Sequence, residues 1–153
     1  MEMRTAGVAD VGVVAELIHG LFLADAASRD PFIDVEAAGK DAARYFTDFL
    51  AEESTLSLVA VEDGVVVGYL LGRFTEKPSV RTVSSAELVS FYVREEFRNQ
   101  RVGTRMVDYF FRWAREMGAG RAAVSVYYAN DSARRFYERA GFAPKSVLLD
   151  VAL

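Results

Sequence analysis

Residues 97–104, FRNQRVGT, join a predicted strand to the start of a long predicted helix. Backbone N–H groups at the start of a helix have no partner inside it, and the helix dipole there favours negative charge. Arg98, Arg101 and Arg105 add positive charge with no acidic residue among them. Gly103 would let a ligand approach the main chain closely. The stretch therefore predicts an anion site suited to a diphosphate, although a basic helix start whose glycine only packs closely is the alternative.

The helix that follows this stretch has the clearest periodicity in the chain. Apolar residues recur at helical spacing over about four turns, as expected when one face of a helix packs on a core. Gly118 and Gly120 end the pattern, and helix C-termini favour glycine. The apolar face comprises Val102, Met106, Tyr109, Phe110, Trp113 and Met117.

Strands are predicted on both sides of this helix. Glu87–Val93 precedes it and Ala122–Tyr127 follows it, an order that indicates one parallel crossover. Further upstream, Leu56–Val61 and Val65–Phe74 flank the Asp-Gly pair at 63–64, a strong signal for a tight antiparallel hairpin. The predicted class is therefore α+β with a mixed, mostly antiparallel sheet. The other predicted elements are an edge strand at Met3–Thr5, a helix from Asp10 with Val14, Leu17, Ile18 and Leu21 on one face, a helix at Val35–Glu53, a short helix at Asp131–Ala140 and a last strand at Val147–Val151.

Composition and charge narrow the class of protein. The chain has 153 residues, enough for one domain with a sizeable core, and 52% hydrophobic with 26% charged residues is a globular balance. It contains no cysteine, which excludes disulfides, thiolate catalysis and zinc–sulfur sites and fits a reducing cytoplasm. A net charge of −4 argues against a dedicated nucleic-acid binder. The first residues lack the features of a signal peptide, and no apolar stretch is expected to reach the length that spans a bilayer.

A second informative segment begins at Asn130, where a strand ends and a short helix carries a tyrosine. Asn130 or Asp131 suits a helix N-cap, and Gly141 suits a helix end whose next residue packs back onto the helix. Tyr137 alone fits a core aromatic residue whose hydroxyl reaches the edge of the core. No convincing serine–histidine triad is present, because His19 is the only histidine and is expected to be a surface or partly buried residue of an amphipathic helix rather than a catalyst.

Together, the two segments resemble the GNAT superfamily of acyl-CoA N-acyltransferases. The order strand, Arg-x-x-x-x-Gly, long helix, strand, Asn, short helix with Phe-Tyr, then Gly-Phe runs from Glu87 to Phe142. The pyrophosphate loop of that family reads Arg/Gln-x-x-Gly-x-Gly/Ala, and Arg101 stands here in place of its first glycine. The resemblance implies a sheet of six to seven strands flanked by about four helices, in a single N-acetyltransferase domain over residues 1–153.

The resemblance also implies roles for individual residues. The main chain of residues 91–93 would pair with the pantetheine arm of CoA and polarise the thioester carbonyl. Asn130 would contact the pantetheine amides, Tyr137 would protonate the leaving thiolate, and Glu87 would act as general base, directly or through water. Tyr92, Glu76, a backbone carbonyl or plain water are the alternatives for the base. The residues assigned to acetyl-CoA are Phe91, Tyr92, Val93, Arg98, Asn99, Gln100, Arg101, Val102, Gly103, Thr104, Asn130 and Ser132.

The chemistry of such a transfer matches the residues available. The amine must lose a proton before it attacks, and the developing oxyanion needs a fixed N–H donor in a dry site. No covalent enzyme intermediate is required, in agreement with the absence of cysteine. We therefore expect acetyl-CoA as co-substrate, an amine acceptor of open identity and no metal, nucleic-acid or membrane partner. A homodimer is the default expectation for the assembly. By the resemblance, residues 21–49 and 74–86 would build most of the acceptor pocket.

Two other functions fit parts of the sequence. A catalytically silent CoA-binding module on the same fold is favoured by Arg101 and disfavoured by the retained Tyr137 and Asn130. A nucleic-acid binder that uses the arginines of residues 98–115 would have to expose the apolar face of the same helix. The acidic overall charge argues against it as well.

Overall fold

The computed structural model describes residues 1–153 and contains five strands and four α-helices. Short 3₁₀ turns at Val8–Asp10 and Glu95–Phe97 precede the first and third of these helices. The elements are β1 (Glu2–Thr5), α1 (Val11–Ser28), α2 (Val35–Ala51), β2 (Thr55–Glu62), β3 (Val65–Thr75), β4 (Ser85–Val93), α3 (Val102–Glu116), β5 (Arg121–Val124) and α4 (Asp131–Arg139).

The five strands form one sheet in sequence order, from β1 at one edge to β5 at the other. The first three pairings are antiparallel, and β4 pairs with β5 in parallel across the α3 connection. The β2–β3 hairpin turns at Asp63 and Gly64, whose φ angles of 49° and 78° are the positive values that a tight two-residue hairpin requires. The predicted α+β class with a mixed, mostly antiparallel sheet is therefore confirmed.

The predicted strand count was too high. Val147–Val151 was expected to form a last strand, but residues 143–153 form no helix or strand and β5 remains a sheet edge. The strand predicted to reach Tyr127 ends at Val124. An alternating apolar pattern gives a segment the tendency to extend, but only a hydrogen-bonded neighbour makes it a strand. Neither stretch has such a neighbour within this chain.

Two apolar cores lie on opposite faces of the sheet. On one face, Phe110 and Met106 of α3 pack against Leu58 and Leu70, and the aromatic residues of α4 pack at the edge of this core. On the other face, α1 and α2 contribute the residues that surround the buried ring of Tyr69, namely Val14, Leu17, Ile18, Ala42, Phe46 and Phe49. The predicted face of α1 is buried at Val14, Leu17 and Ile18. The predicted face of α3 is buried at Val102, Met106 and Phe110, whereas its other three residues, Tyr109, Trp113 and Met117, are only partly buried.

The first helix departs from one sequence expectation. Residues 8–28 are long and apolar enough to cross a membrane by length and composition, so the expectation that no stretch approaches this length was wrong. A core helix passes the same test, and Val14, Leu17 and Ile18 of α1 are buried against α2 and the sheet. The length and composition of α1 therefore do not by themselves indicate a membrane span.

An ion pair fastens β1 to the start of α1. Arg4 Nη1 and Nη2 donate to the two carboxylate oxygens of Asp10 at 2.8 and 2.9 Å, and the Gly7 N–H donates to Asp10 Oδ2 at 2.8 Å. The hydrogen bonds from Arg4 are the main cause that lowers the pKa of Asp10 below its ordinary value of 3.8. Asp10 is only 7% exposed, whereas the Arg4 side chain leaves 39% of its surface exposed, so within the pair the carboxylate is the group shielded from water.

We expect the stability of the fold to depend on the charge of Asp10. A carboxyl whose pKa is lower in the folded than in the unfolded state contributes stability above its unfolded pKa and loses it as the pH falls through the folded pKa. Asp10→Asn should lower the free energy of unfolding at neutral pH by about 1–3 kcal/mol and flatten its decline below about pH 4. Urea unfolding of both proteins between pH 3 and pH 7 measures this, and an unchanged decline in the Asn variant would contradict it. Asp48→Asn is the matched control, because Asp48 is an exposed carboxylate without a hydrogen-bond partner.

Candidate active site

A cleft opens where the two parallel strands separate. β4 pairs with β5 only from Ser85 to Leu88, whereas β4 continues to Val93. The register against β3 shifts between Leu71 and Gly72, which leaves Val89 as an extra residue on β4. Such a bulge bends its strand and increases the local twist. The cleft that results has a volume of about 850 Å³ and lies between β4, the residues after β5, the starts of α3 and α4, and the end of α1. We call it the central cleft.

One wall of the central cleft is the free edge of β4. The Arg94 N–H donates to Val67 O at 2.8 Å, so the main-chain N–H and C=O groups of Arg94 point towards β3. In a strand, the main-chain groups of successive residues point to alternate edges. Those of Tyr92 therefore also point towards β3, and those of Phe91 and Val93 point towards the cleft. Val93 O accepts a hydrogen bond from Arg98 Nε at 2.9 Å, whereas the Phe91 N–H remains available to a ligand.

The start of α3 lies at one end of this wall. Asn99 and Arg101 adopt left-handed backbone conformations with φ of 60° and 65°. The first N–H to bond within the helix is that of Arg105, which donates to Arg101 O at 3.1 Å. The preceding N–H groups therefore point out of the helix, as the predicted anion site requires. Arg101, which stands in place of the family's first glycine, thus has a backbone conformation that favours glycine.

Gly103 has a packing role that the sequence left open. A Cβ atom at this position would lie 3.2 Å from ring atoms of both Phe91 and Phe136. The two rings stack with centroids 5.9 Å apart, so the glycine lets α3 approach a contact between β4 and α4. The alternative in which the glycine serves close packing is therefore correct in part, since Gly103 also lines the central cleft.

Asn130 begins α4 on the opposite side of the cleft. Its Oδ1 accepts hydrogen bonds from the Ala133 N–H at 3.2 Å and from the Ser132 hydroxyl at 3.3 Å. Asn130 is thus the N-cap that its position predicted. Its Nδ2 donates to no group of the chain and remains free for a ligand carbonyl.

The end of α4 orients Tyr137. Gly141 has a φ of 109°, and the N–H groups of Gly141 and Phe142 donate to the carbonyls of Glu138 and Tyr137 at 3.0 Å each. This is the Schellman arrangement, and Phe142 packs edge-on against the Tyr137 ring with centroids 5.7 Å apart. Burial raises the pKa of Tyr137 to about 12. Its hydroxyl has no partner within the chain, although the residue lines the cleft.

The structure brings most of the predicted site residues together. Glu87 is the clearest exception, because it is exposed on β4 opposite Arg73 and does not line the cleft. Gln100 donates its side-chain amide to Glu96 O at 3.0 Å, and the Val102 side chain is buried in the core, so neither side chain lines the cleft. The predicted residues that line the central cleft are Phe91, Tyr92, Val93, Arg98, Asn99, Arg101, Gly103, Thr104, Asn130, Ser132 and Tyr137.

Asp25 is a cleft residue that the sequence analysis missed. It lies near the end of α1, its side chain is 14% exposed, and Arg29 Nη1 donates to it at 3.1 Å. Burial is the main cause that raises the pKa of Asp25, while the hydrogen bond from Arg29 opposes the shift. The only signal in the sequence is a single acid inside the apolar run at 21–27. Such a carboxylate, with an open cleft in front of it, can bind a cation.

Two further polar contacts lie around the cleft. The hydroxyls of Tyr69 and Ser90 lie 2.7 Å apart beneath β4, which satisfies the buried phenol. The Tyr127 hydroxyl donates to Asp30 Oδ2 at 2.7 Å and so links the residues after β5 to the end of α1. This contact spans the cleft between residues far apart in sequence, and nothing local to either residue predicts it.

A mixed sheet whose parallel strands separate beside a helix N-terminus defines the class of fold, and the comparisons with known proteins define the family. The model of the Acetyltransferase (GNAT) family matches residues 22–142. The chain therefore belongs to this family.

A curated relative and solved structures agree with this assignment. An N-alpha-acetyltransferase of Sulfurisphaera tokodaii is 29% identical over 110 residues, which cover 68% of this chain and 66%, just under two thirds, of that relative. A mutant of the BH1408 protein from Bacillus halodurans has the same fold, with a TM-score of 0.90, 20% identity and coverage of 100% and 99% of the two chains. A predicted acetyltransferase with acetyl-CoA from Clostridium acetobutylicum gives a TM-score of 0.76 at 21% identity over 99% and 95%.

Proposed function

We propose that the protein is an N-acetyltransferase that transfers the acetyl group of acetyl-CoA to a primary amine by direct attack in a ternary complex. One observation carries the proposal. The outward N–H groups of α3, the free edge of β4 and the partnerless hydroxyl of Tyr137 all line one cleft of about 850 Å³. These are the groups that a diphosphate, a pantetheine arm and a leaving thiolate each need.

In this proposal, different residues of the cleft bind the diphosphate and the pantetheine arm of acetyl-CoA. The start of α3, with Arg98 and Arg101, faces the diphosphate, where outward N–H groups and positive charge favour an anion. The β4 edge at Phe91 and the free amide of Asn130 offer hydrogen bonds to the extended arm. The Phe91 N–H, fixed by the sheet, is the donor best placed to stabilise an oxyanion on the thioester carbonyl.

The transfer then needs no covalent enzyme intermediate. The amine lone pair attacks the carbonyl carbon, a C–N bond forms, and the C–S bond breaks as the tetrahedral intermediate collapses. Tyr137 donates its proton to the departing sulfur and afterwards regains one from the amine by way of solvent. With a pKa of about 12, the phenol is protonated throughout the neutral range.

The acceptor amine approaches, in this proposal, from the side of Asp25. This carboxylate is the acidic side chain of the central cleft, and its desolvation favours a cation brought beside it. It would hold the acceptor as an ammonium before the proton leaves. Glu87, outside the cleft, would have to act through water, so it stays a prediction for the general base.

Binding and turnover of acetyl-CoA test the proposal directly. Acetyl-CoA at about 100 times its Kd should stabilise the native state by about 2.7 kcal/mol, a rise in Tm of roughly 5–10 °C. Desulfo-CoA should retain much of this effect, because the diphosphate is the anchor. A panel of amines monitored for free thiol then tests the transfer, and no Tm shift with no thiol release would contradict the proposal.

The silent CoA-binding module predicts a different result. The sequence favoured this module because Arg101 replaces the first glycine of the loop, and Arg101 adopts a left-handed backbone conformation with a φ of 65°. A chain that shows the Tm rise but releases no thiol with any amine of the panel would be this module.

Asp25→Asn is expected to raise the KM for the amine by about tenfold or more, because it removes a charged hydrogen bond of about 1.5–3 kcal/mol. The KM for acetyl-CoA should change little.

Glu87→Gln is the matched comparison, because it neutralises a carboxylate outside the cleft and should leave the KM for the amine unchanged. If Glu87 is instead the base, this variant should lower kcat/KM and remove the acidic limb of the pH–rate profile. An Asp25→Asn enzyme with an unchanged amine KM would rule out the ammonium site.

A further inference from the structure

One face of α1 lines the central cleft with three side chains of different chemistry. Leu21, Asp25 and Arg29 follow one another at intervals of four residues, and all three line the cleft. Residues four apart are neighbours on one face of a helix, about 6 Å from each other along its axis. Arg29 directly follows the last residue of α1, and its N–H donates to Asp25 O at 2.8 Å, so it continues the helical turn. The face therefore presents an apolar, an anionic and a cationic side chain in sequence.

The ion pair on this face leaves hydrogen-bonding groups free on both partners. Arg29 Nη1 donates to Asp25 Oδ1 at 3.1 Å, and the two side chains are 23% and 14% exposed. Asp25 Oδ2 accepts no hydrogen bond from the chain, and Arg29 Nη2 and Nε donate none to it. One carboxylate oxygen is thus free to accept from an ammonium, and one edge of the guanidinium is free to donate to a second carboxylate.

The charges of the whole cleft disfavour an acceptor with several ammonium groups. Asp25 is the one acidic residue that lines the cleft, and the basic ones are Arg29, Arg98, Arg101, Arg135 and Arg139. Asp30 does not line it and already accepts from the Tyr127 hydroxyl and the Phe32 N–H at 2.7 and 3.0 Å. A polyamine would bring its further positive charges among arginines, and like charges brought together oppose binding.

We propose that the acceptor is a free α-amino acid with an apolar side chain, whose ammonium pairs with Asp25, whose carboxylate pairs with Arg29 and whose side chain lies against Leu21. This inference rests on the proposed function and names its class of amine. The amino nitrogen and the carboxyl carbon of an amino acid are about 2.5 Å apart. One such molecule can therefore meet both members of an ion pair whose own atoms lie 3.1 Å apart. Both of its charges then leave water for a partner of opposite charge.

The reaction of such an acceptor is the transfer described above. The ammonium loses a proton, the amine attacks the thioester carbonyl, a C–N bond forms and the C–S bond breaks. Of the two protons that the nitrogen gives up, one ends on the CoA sulfur and one in solvent. The products are free CoA and an N-acetylamino acid, which keeps its carboxylate for Arg29 but has lost the positive charge that Asp25 held.

A peptide N-terminus differs from a free amino acid at one group. It carries the same ammonium and side chain, but an amide stands in place of the carboxylate, so Arg29 has no anion to bind. An amino-acid amide reproduces this difference in a small molecule. The comparison of an amino acid with its own amide therefore measures the contribution of the carboxylate.

The release of free thiol from acetyl-CoA tests the class of acceptor. The probes are the standard L-amino acids, their amides and spermidine. The wild-type enzyme should turn over a free amino acid with an apolar side chain at a higher kcat/KM than spermidine. Thiol release with amides or spermidine, and none with any free amino acid, would overturn this inference and leave the proposed function standing. No thiol release with any of these acceptors would contradict both.

Arg29→Met isolates the contact with the carboxylate. It should lower kcat/KM for the best amino acid by about 10- to 100-fold, as expected when a charged hydrogen bond is lost, and for the corresponding amide by less than about threefold. Turnover of the amide shows that the variant is folded. Any change in Asp25 that follows from the loss of its partner acts on both acceptors, so it leaves the ratio of the two kcat/KM values unchanged.

Two further variants complete the test. Arg29→Lys keeps the positive charge without the forked geometry, so it should lower this ratio by less than Arg29→Met does. Arg44→Met is the matched control, because Arg44 is paired with Asp41 at 3.3 Å on α2, outside the cleft, and it should change neither kcat/KM. An equal fall for the amino acid and its amide in Arg29→Met would show that Arg29 only positions Asp25. That result, or a ratio unchanged in both Arg29 variants, would overturn the inference.

Discussion

Tyr137→Phe is expected to lower kcat by about 10- to 1,000-fold and to change the affinity for acetyl-CoA by less than about threefold. The substitution removes one hydroxyl and leaves the ring that packs against Phe136 and Phe142. The diphosphate and pantetheine contacts lie on other residues, so binding should persist. The wide range reflects that a thiolate can leave without full protonation, only more slowly.

The pH dependence gives this prediction a second measurement. A general acid supports turnover while it is protonated, and activity falls as the pH rises through its pKa. Because burial raises the pKa of Tyr137 to about 12, this residue should cause no decline in kcat below about pH 10. A decline in kcat that begins below about pH 10 would therefore come from the titration of a group other than Tyr137.

The control for Tyr137 is Tyr109→Phe, a phenol on α3 outside the cleft, which should turn over normally. Steady-state rates are to be measured with calorimetric binding of acetyl-CoA, under conditions where chemistry limits turnover. A Tyr137→Phe enzyme with wild-type kcat under those conditions would return Tyr137 to the role of an aromatic core residue.

Gly103→Val is expected to weaken acetyl-CoA binding by about 10- to 100-fold, and to remove most of the Tm rise that the ligand produces. Even the first atom of the added side chain meets the Phe91 and Phe136 rings at 3.2 Å. Relief of this contact requires the start of α3 to move away from β4 and α4, which displaces the N–H groups that face the diphosphate. Gly103→Ala should show a smaller effect of the same sign, since the rings need to yield by only a few tenths of an ångström.

Two controls separate packing from direct obstruction of the ligand. Gly12→Val places the same side chain at the start of α1, where a Cβ would meet nothing within 4 Å, and should leave binding unchanged. Phe136→Ala combined with Gly103→Val should regain part of the affinity if ring contact is the cause. Unchanged acetyl-CoA affinity in a folded Gly103→Val protein would contradict the diphosphate site itself.

The sequence by itself determined what depends on neighbours along the chain. Helical spacing in α3, the Asp-Gly hairpin at 63–64 and the glycine-ended α4 are local patterns, and each forms as predicted. The N-cap role of Asn130 is local too, because an N-cap bonds within its own first turn. The most informative part of the site, the start of α3, is likewise a helix end and could be predicted from its residues.

Only the tertiary structure decided what depends on partners distant in sequence. The bulge at Val89 and the separation of β4 from β5 create the central cleft, yet both arise from pairing registers that no local pattern specifies. Asp25 enters the site because α1 packs beside β4, whereas Glu87 lies outside it, on the part of β4 that still pairs with β5. The strand predicted at Val147–Val151 does not form, for the same reason. A strand requires a hydrogen-bonded neighbour, and the residues of the segment itself do not determine whether one lies beside it.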